Sequence, residues 1–183
     1  MRRSRIYEAL LNESARLFAA TGTEQVSVED IIEAVGISRR TFYGFFANKY
    51  EIAAALLNPV FAAGVEQLGE LARQSPAAII PGIVAFYLRQ WRERQASLQI
   101  IGSLDAAIFP YIEAGHLAFG AALKTALARC ETAGLLRNDS ARLSFQVITR
   151  TAVPLLKIYR DHPQLDALYT ETMISLLGKP AKT

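Results

Sequence analysis

Residues 27–52 read SVEDIIEAVGISRRTFYGFFANKYEI, and no other stretch restricts the possible folds as strongly. Ser27 predicts a helix start, because a hydroxyl at the N-cap accepts a bond from an orphan backbone N–H. Asp30, three residues on, places an acidic group in the first turn, close to a capping box. Ile31, Ile32 and Val35 supply a short apolar face. Gly36 predicts the stop, since the residue after a helix commonly takes positive φ, which costs glycine little. Ser38 then caps a second helix, with Phe42, Phe45 and Phe46 at apolar positions i, i+3 and i+4. Two short helices joined by a tight glycine turn form a helix-turn-helix, which presents its second helix to a DNA major groove.

Charge supports this only through its distribution. The 183 residues carry a formal net charge of +3. Within residues 1–50, seven basic residues stand against six acidic ones, which leaves +1. Yet from Gly36 to Lys49 there are three cations and no acid, and Arg2, Arg3 and Arg5 add three more at the start. Basic groups thus gather where phosphates would lie around a second helix seated in a groove. One cysteine, Cys130, excludes an intrachain disulfide and a multi-cysteine zinc site and suits a reducing compartment. Glu8, Asn12 and Glu13 interrupt what would be the apolar region of a signal peptide. The longest run resembling a membrane span, AAIIPGIVAFYL, has 12 residues with Pro81 inside it, too short to cross a bilayer. A soluble cytoplasmic protein without membrane contact is expected.

The remaining pattern is helical, and the fold class read from it is all-α with about nine helices. Residues 5–20 form a first helix, with Ile6, Ala9, Leu10, Leu17 and Phe18 on one stripe. Asn48 caps a long helix from Lys49 towards Arg73, and Pro59 is expected to kink or interrupt it. Further helices are predicted from Pro76 to about Arg94, from Leu98 to Ala107 and from Pro110 to about Ala133. Two more cover Ser140 to Tyr159, with Pro154 deep inside, and Pro163 to Leu177. Residues 1–48 are read as a DNA-binding domain and residues 49–183 as a second helical domain.

ISRRTFYGFFANKYEI resembles the core of TetR-family transcriptional regulators, also called TetR/AcrR. That family opens its recognition helix with a small hydrophobic residue and Ser. Thr, an apolar residue, Tyr, an aromatic or His, Phe and finally a Lys at the start of the fourth helix follow. Here these are Ile37, Ser38, Thr41, Phe42, Tyr43, Phe45, Phe46 and Lys49. The chain departs from the pattern at Arg40, where a small residue is frequent, at Gly44 in mid-helix, at Phe45, where His or Tyr is usual, and at Tyr50, where an acid is frequent. The resemblance implies a homodimer on double-stranded operator DNA, with no cofactor or metal and no enzymatic activity. It also implies that Tyr43 and Lys49 contact DNA, with Lys49 gripping a phosphate at a helix N-terminus. Ser27, Ser38, Thr41 and Phe45 stand at the same surface, and Arg39 and Arg40 are candidates for bidentate reading of guanine. Arg2, Arg3 and Arg5 are expected either as an arm reaching the minor groove or backbone, or as an unattached terminus. Phe42 and Phe46 are expected in the core.

The second domain is expected to bind a small apolar or amphipathic effector. Tyr87, Trp91, Phe109, Tyr111 and Phe119 are candidates to line its pocket. Asp105, His116 and Arg150 lie inside apolar segments, where a buried polar group needs an internal partner or a ligand. For any single aromatic, plain core packing is the commoner role. Dimerisation is assigned to the last two helices through Phe145, Ile148, Ala152, Leu156, Leu165, Leu168, Thr172 and Leu176. The competing assignment makes these residues the core of a monomer. Two other functional classes compete: a ligand-independent regulator whose C-terminal half only dimerises or binds a protein, and a small all-α enzyme. The second lacks a metal cluster, spaced paired carboxylates and a nucleophile–base arrangement in the sequence.

Overall fold

The computed structural model describes residues 2–102, 104 and 106–180. Among these the chain forms eight α-helices, a single 3-10 turn and no strand. In order they are α1 (Arg2–Thr21), α2 (Val28–Val35), α3 (Arg39–Tyr43), α4 (Lys49–Leu71), α5 (Pro76–Ile101), the 3-10 turn Ala106–Ile108, α6 (Phe109–Thr132), α7 (Ala141–Tyr159) and α8 (Leu165–Leu177). The all-α class is as the sequence predicts.

The sequence-based boundaries can be compared at two places. Helix α4 runs through Pro59 without interruption. A proline removes one backbone donor, and here the packing of Leu57, Val60 and Phe61 on either side holds the helix together. The expected break at about Arg94 is present, since Arg94 is non-helical at φ −143° and ψ 45° and kinks α5 there, and the helix beyond it ends at Ile101 and not near Ala107.

The chain divides into two compact units that do not follow chain order. One comprises Met1–Val60 and Arg94–Gly115, the other Phe61–Glu93 and His116–Thr183. In the first, Leu10, Phe18, Ile31, Phe42, Ile52, Leu57, Leu98, Ile100, Ile108 and Ile112 are buried. The three N-terminal helices therefore gain apolar support from α4 and from residues 94–115, which so small a domain needs. Full burial of one such side chain stabilises by roughly 1.5–3 kcal/mol.

In the second unit α7 buries Ser144, Ile148, Ala152, Val153 and Leu156, and α8 buries Tyr169, Met173 and Leu177. Tyr159 Oη and Thr172 Oγ1 join these two helices at 3.1 Å. Arg129 of α6 donates to the carbonyls of Ala72 at 2.5 Å and Gln74 at 2.9 Å, placing a cation where α4 ends. Helices Lys49–Leu71 and Ala106–Thr132 have the length and composition of a membrane span, longer than the 12-residue run picked out above. The first of these supplies Ile52, Ala53 and Leu57 to a packed core.

Candidate nucleic-acid interface

The helix-turn-helix is held by its polar caps. Ser27 Oγ accepts from the Asp30 amide at 3.1 Å, and the Asp30 carboxylate accepts from the Ser27 amide at 2.7 Å, which completes a capping box. The Ser27 hydroxyl also donates to that carboxylate at 2.7 Å. These bonds, the backbone amide first, hold the Asp30 carboxyl below its ordinary value, and Lys49 adds to the effect. Gly36 sits in the left-handed region at φ 70° and ψ 41° and returns its amide to α2. Ser38 Oγ caps α3 by accepting from the Thr41 amide at 3.1 Å, and its hydroxyl pairs with that of Thr41 at 2.9 Å.

These caps aim α3. Phe42 and Phe46 turn inward, at 0% and 7% exposure, while Tyr43 stands 53% exposed with its ring edge-on to Phe42 at 5.2 Å. Tyr43 thus has an apolar anchor on one side and a free hydroxyl on the other. Arg40 is exposed, and no carboxylate among the described residues pairs with it. Arg39 is exposed as well, but its guanidinium is paired with Glu29 of α2. That pair links α2 to α3 through one guanidinium nitrogen and leaves the other donors of Arg39 available. Phe45 is half-buried and packs against Tyr7 at 6.3 Å, so it serves α1 packing as well as the surface.

Lys49, expected to grip a phosphate, is also tied into the fold. Its ammonium donates to the carbonyls of Val26 at 2.8 Å and Glu24 at 3.0 Å, which fixes the loop before α2. Of the three ammonium donors, two are thereby used within the fold. Asn48 Oδ1 caps α4 through the amides of Tyr50 and Glu51, and Asn48 Nδ2 donates to Tyr111 Oη at 3.0 Å. Tyr50 stacks on Tyr111 with ring centroids 5.9 Å apart. This gives a physical role to the tyrosine that replaces the family's frequent acid. Arg2, Arg3 and Arg5 belong to α1 and are helical, not an extended arm.

The predicted effector residues do not form one group. Tyr87 and Trp91 are buried in the second unit, and there Phe119 and His116 join Phe61 and Phe86. The Phe119 ring is 6.1 Å from Phe61 and 6.0 Å from Phe86, and His116 meets Phe61 edge-on at 5.7 Å. Phe61 and Phe86 were missed by the sequence reading. Gly64, one turn from Phe61, is the signal, because a Cβ there would lie 2.4 Å from the Phe119 ring.

In the same unit the Tyr169 side chain is fully buried and its hydroxyl has no hydrogen-bond partner. Burial raises the hydroxyl pKa of both Tyr169 and Tyr87 above the ordinary tyrosine value. Three predicted members fall elsewhere. Phe109 and Tyr111 belong to the first unit, and Tyr111 is committed to Asn48 and Tyr50. Arg150 is exposed, because it lies on the face of α7 opposite Ile148 and Ala152. It lines an open groove of 690 Å³ with Lys124, Arg142 and Phe145. Asp105 lies outside the described residues.

On the last helices, Ile148, Ala152 and Leu156 are 0%, 1% and 0% exposed, so they serve the chain's own core and not a partner. Phe145, Leu165, Leu168 and Thr172 are half-buried and Leu176 is exposed. Beside them, Leu143, Ile158 and Ile174 present apolar surface that the sequence reading did not select, with Ile158 at 72% exposure.

A capped helix-turn-helix precedes a helical body in this chain, and known proteins share both features. Residues 10–56 match the profile described as bacterial regulatory proteins, tetR family. Over 118 residues the chain is 35% identical to the HTH-type transcriptional regulator TcmR of Streptomyces glaucescens. That match covers 62% of this chain and 49% of TcmR, so the chain spans about half the length of the curated relative it matches. Similar folds include the ketosteroid transcriptional regulator KstR2 of Mycobacterium tuberculosis, with a TM-score of 0.75 and 20% identity, covering 98% of this chain and 96% of that one. The TetR-family regulator PfmR from Thermus thermophilus matches with a TM-score of 0.72 and 22% identity, covering 92% and 96%. Residues 10–56 thus resemble the DNA-binding part of TetR-family regulators, and the fold of the whole chain resembles that of these solved regulators.

Proposed function

We propose that the protein binds an operator as a homodimer, blocks transcription there, and releases the DNA when a small apolar or amphipathic effector enters its C-terminal helical domain. The carrying observation is Tyr43, which projects from a capped recognition helix beside Ser38, Arg40 and Thr41. In this reading residues 1–48 form the DNA-binding domain and residues 49–183 the effector and dimerisation domain, in a cytoplasmic protein. Dimerisation gives two recognition helices the spacing of about one DNA turn, 34–36 Å. Leu143, Ile158, Ile174 and Leu176 support a contact face on α7 and α8, with Phe145, Leu165, Leu168 and Thr172 at its edge.

The rings of Phe61, Phe86, Phe119 and His116 support an apolar effector site. Solved relatives of similar fold include a fatty acid degradation regulator and a SmeT–triclosan complex, which suggests acyl and chloroaromatic probes for a first screen. Titration of labelled DNA from the protein's own upstream intergenic region tests the reading. Tyr43→Ala should weaken binding about tenfold, and no change would remove Tyr43 from the contact surface. Sedimentation of a monomer at micromolar concentration would end the dimer assignment. A ligand that raises Tm yet leaves DNA affinity unchanged would leave a ligand-independent regulator.

A further inference from the structure

The second unit carries three cations that the operator and effector readings leave unused. Lys124 of α6 and Arg142 and Arg150 of α7 line the open groove of 690 Å³, with Phe145, Gln146 and Thr149 between them. Helical spacing gathers them. Arg142, Phe145, Gln146, Thr149 and Arg150 stand at i, i+3, i+4, i+7 and i+8 and share one side of α7, and Lys124 joins them from α6. No ion pair joins any of the three cations to an acid among the described residues. The carboxylate in the lining, Glu131, accepts from the Ala141 amide at 3.1 Å and so serves the first turn of α7. Three cations against one acid leave the groove at +2, and the cations repel one another until an anion enters.

The cations are also oriented. The Lys124 ammonium lies 4.9 Å from the centroid of the Phe145 ring, which holds a flexible side chain without using its N–H donors. The tip of that ring faces Gly120, one turn before Lys124, where a Cβ would stand 3.9 Å away in ordinary contact. Arg150 turns back along α7, its Nη1 donating to the Gln146 carbonyl at 3.4 Å. Lys124 and Arg150 therefore meet at the level of Phe145 and Gln146, and Arg142 stands apart from them. Arg142 and Gln146 are four residues apart, roughly 6 Å along the helix axis. That separation exceeds the span of the oxygens on one phosphate, and the Phe145 ring lies within it.

We infer that this groove binds a small organic dicarboxylate, one carboxylate held by Arg142, the other by Lys124 and Arg150, with the carbon chain against Phe145. Two negative charges match the excess of the lining, and a guanidinium fork suits a planar carboxylate. The site is distinct from the ring-lined interior proposed for the apolar effector, and its occupant ties α6 to α7 from outside the core.

The test titrates the full chain with succinate, glutarate and adipate by calorimetry at low salt, with butyrate and inorganic phosphate as controls. A diacid should bind at one site per chain, raise Tm and weaken as salt is added. Butyrate and phosphate should bind at least about tenfold more weakly, and Arg142→Ala and Arg150→Ala should each cost about tenfold in diacid affinity. Arg142→Lys should lose less than Arg142→Ala. Both arginines are exposed, so the ligand-free variants should keep wild-type Tm. In labelled protein the diacid should shift the amides of Gln146 and Thr149. Diacid affinity that is unchanged in both alanine variants would overturn the site, as would phosphate binding as tightly as any diacid. Absence of binding by every diacid at millimolar concentration would remove it. If Arg142→Glu alters the oligomeric state and leaves diacid affinity as it was, the groove belongs to a second copy of the chain and the ligand site falls. None of these measurements uses DNA, so the site stands or falls apart from the operator reading.

Discussion

In the unit built from residues 1–60 and 94–115, side-chain polar groups fix the turns. Ser27, Ser38 and Asn48 cap three successive helices, and Lys49 holds the loop carbonyls of Glu24 and Val26. In the unit built from residues 61–93 and 116–183, rings and close backbone approach dominate. Phe119 lies against Gly64, Phe61 and Phe86, and a Tyr169 hydroxyl is buried without a partner. Directional bonds fix angles, so the first arrangement suits a surface that must match the pitch of DNA. Ring packing fixes position by shape and not by bond angle, and Gly64 shows how close that fit is. The two regions therefore answer the same physical demand, burial of apolar surface, with opposite degrees of directional control.

The contrast can be broken from either side. Lys49→Ala should have the largest effect, because it strands two carbonyls that now accept from a charged donor. A loss of about 1.5–3 kcal/mol in a denaturant titration is expected. Gly64→Ala should cost about 1–3 kcal/mol by overpacking the Phe119 ring, with loss of cooperativity confined to the second unit by hydrogen exchange.

Ser27→Ala should cost about 1 kcal/mol through the lost cap. The same box predicts a pH effect. The folded Asp30 carboxyl lies below its ordinary value of 3.8, so its contribution is present above that pH and disappears as pH falls through the lowered value. Acid titration of Ser27→Ala should show a smaller loss of this kind than the wild type, because the hydroxyl bond is gone while the backbone amide at position 27 still donates to the Asp30 carboxylate. Tyr169→Phe should change stability by less than about 1 kcal/mol, or raise it, since the hydroxyl gains nothing where it lies. A large loss on Tyr169→Phe would mean that the two units are less different than they look.

What could be foreseen from sequence follows from the range of the forces. Ser27, Gly36, Ser38 and Asn48 act within four residues of themselves, so their caps are written in the local sequence. Lys49 meets carbonyls 23 and 25 residues away and Tyr111 meets Asn48 across 63 residues, and neither encounter leaves a periodic trace. The last helices show the same limit. Apolar spacing marks Ile148, Ala152 and Leu156 as facing something, but not whether that is the chain's own core or a second copy. Arg150 has apolar neighbours in sequence, which points to burial, although a helix places it on the opposite side from them. The all-α class survives these errors because helical periodicity does not depend on which partner covers a face.

Lys49 links folding to recognition in a way that bears on design. If this ammonium is the group that meets operator phosphate, it must either use its one uncommitted proton or let go of the Glu24–Val26 loop. A redesign that frees the lysine for tighter DNA binding would slacken the hinge between α1 and α2, whereas one that strengthens the brace would blunt the grip. Selection on operator affinity and selection on thermal tolerance would then pull on one side chain in opposite directions.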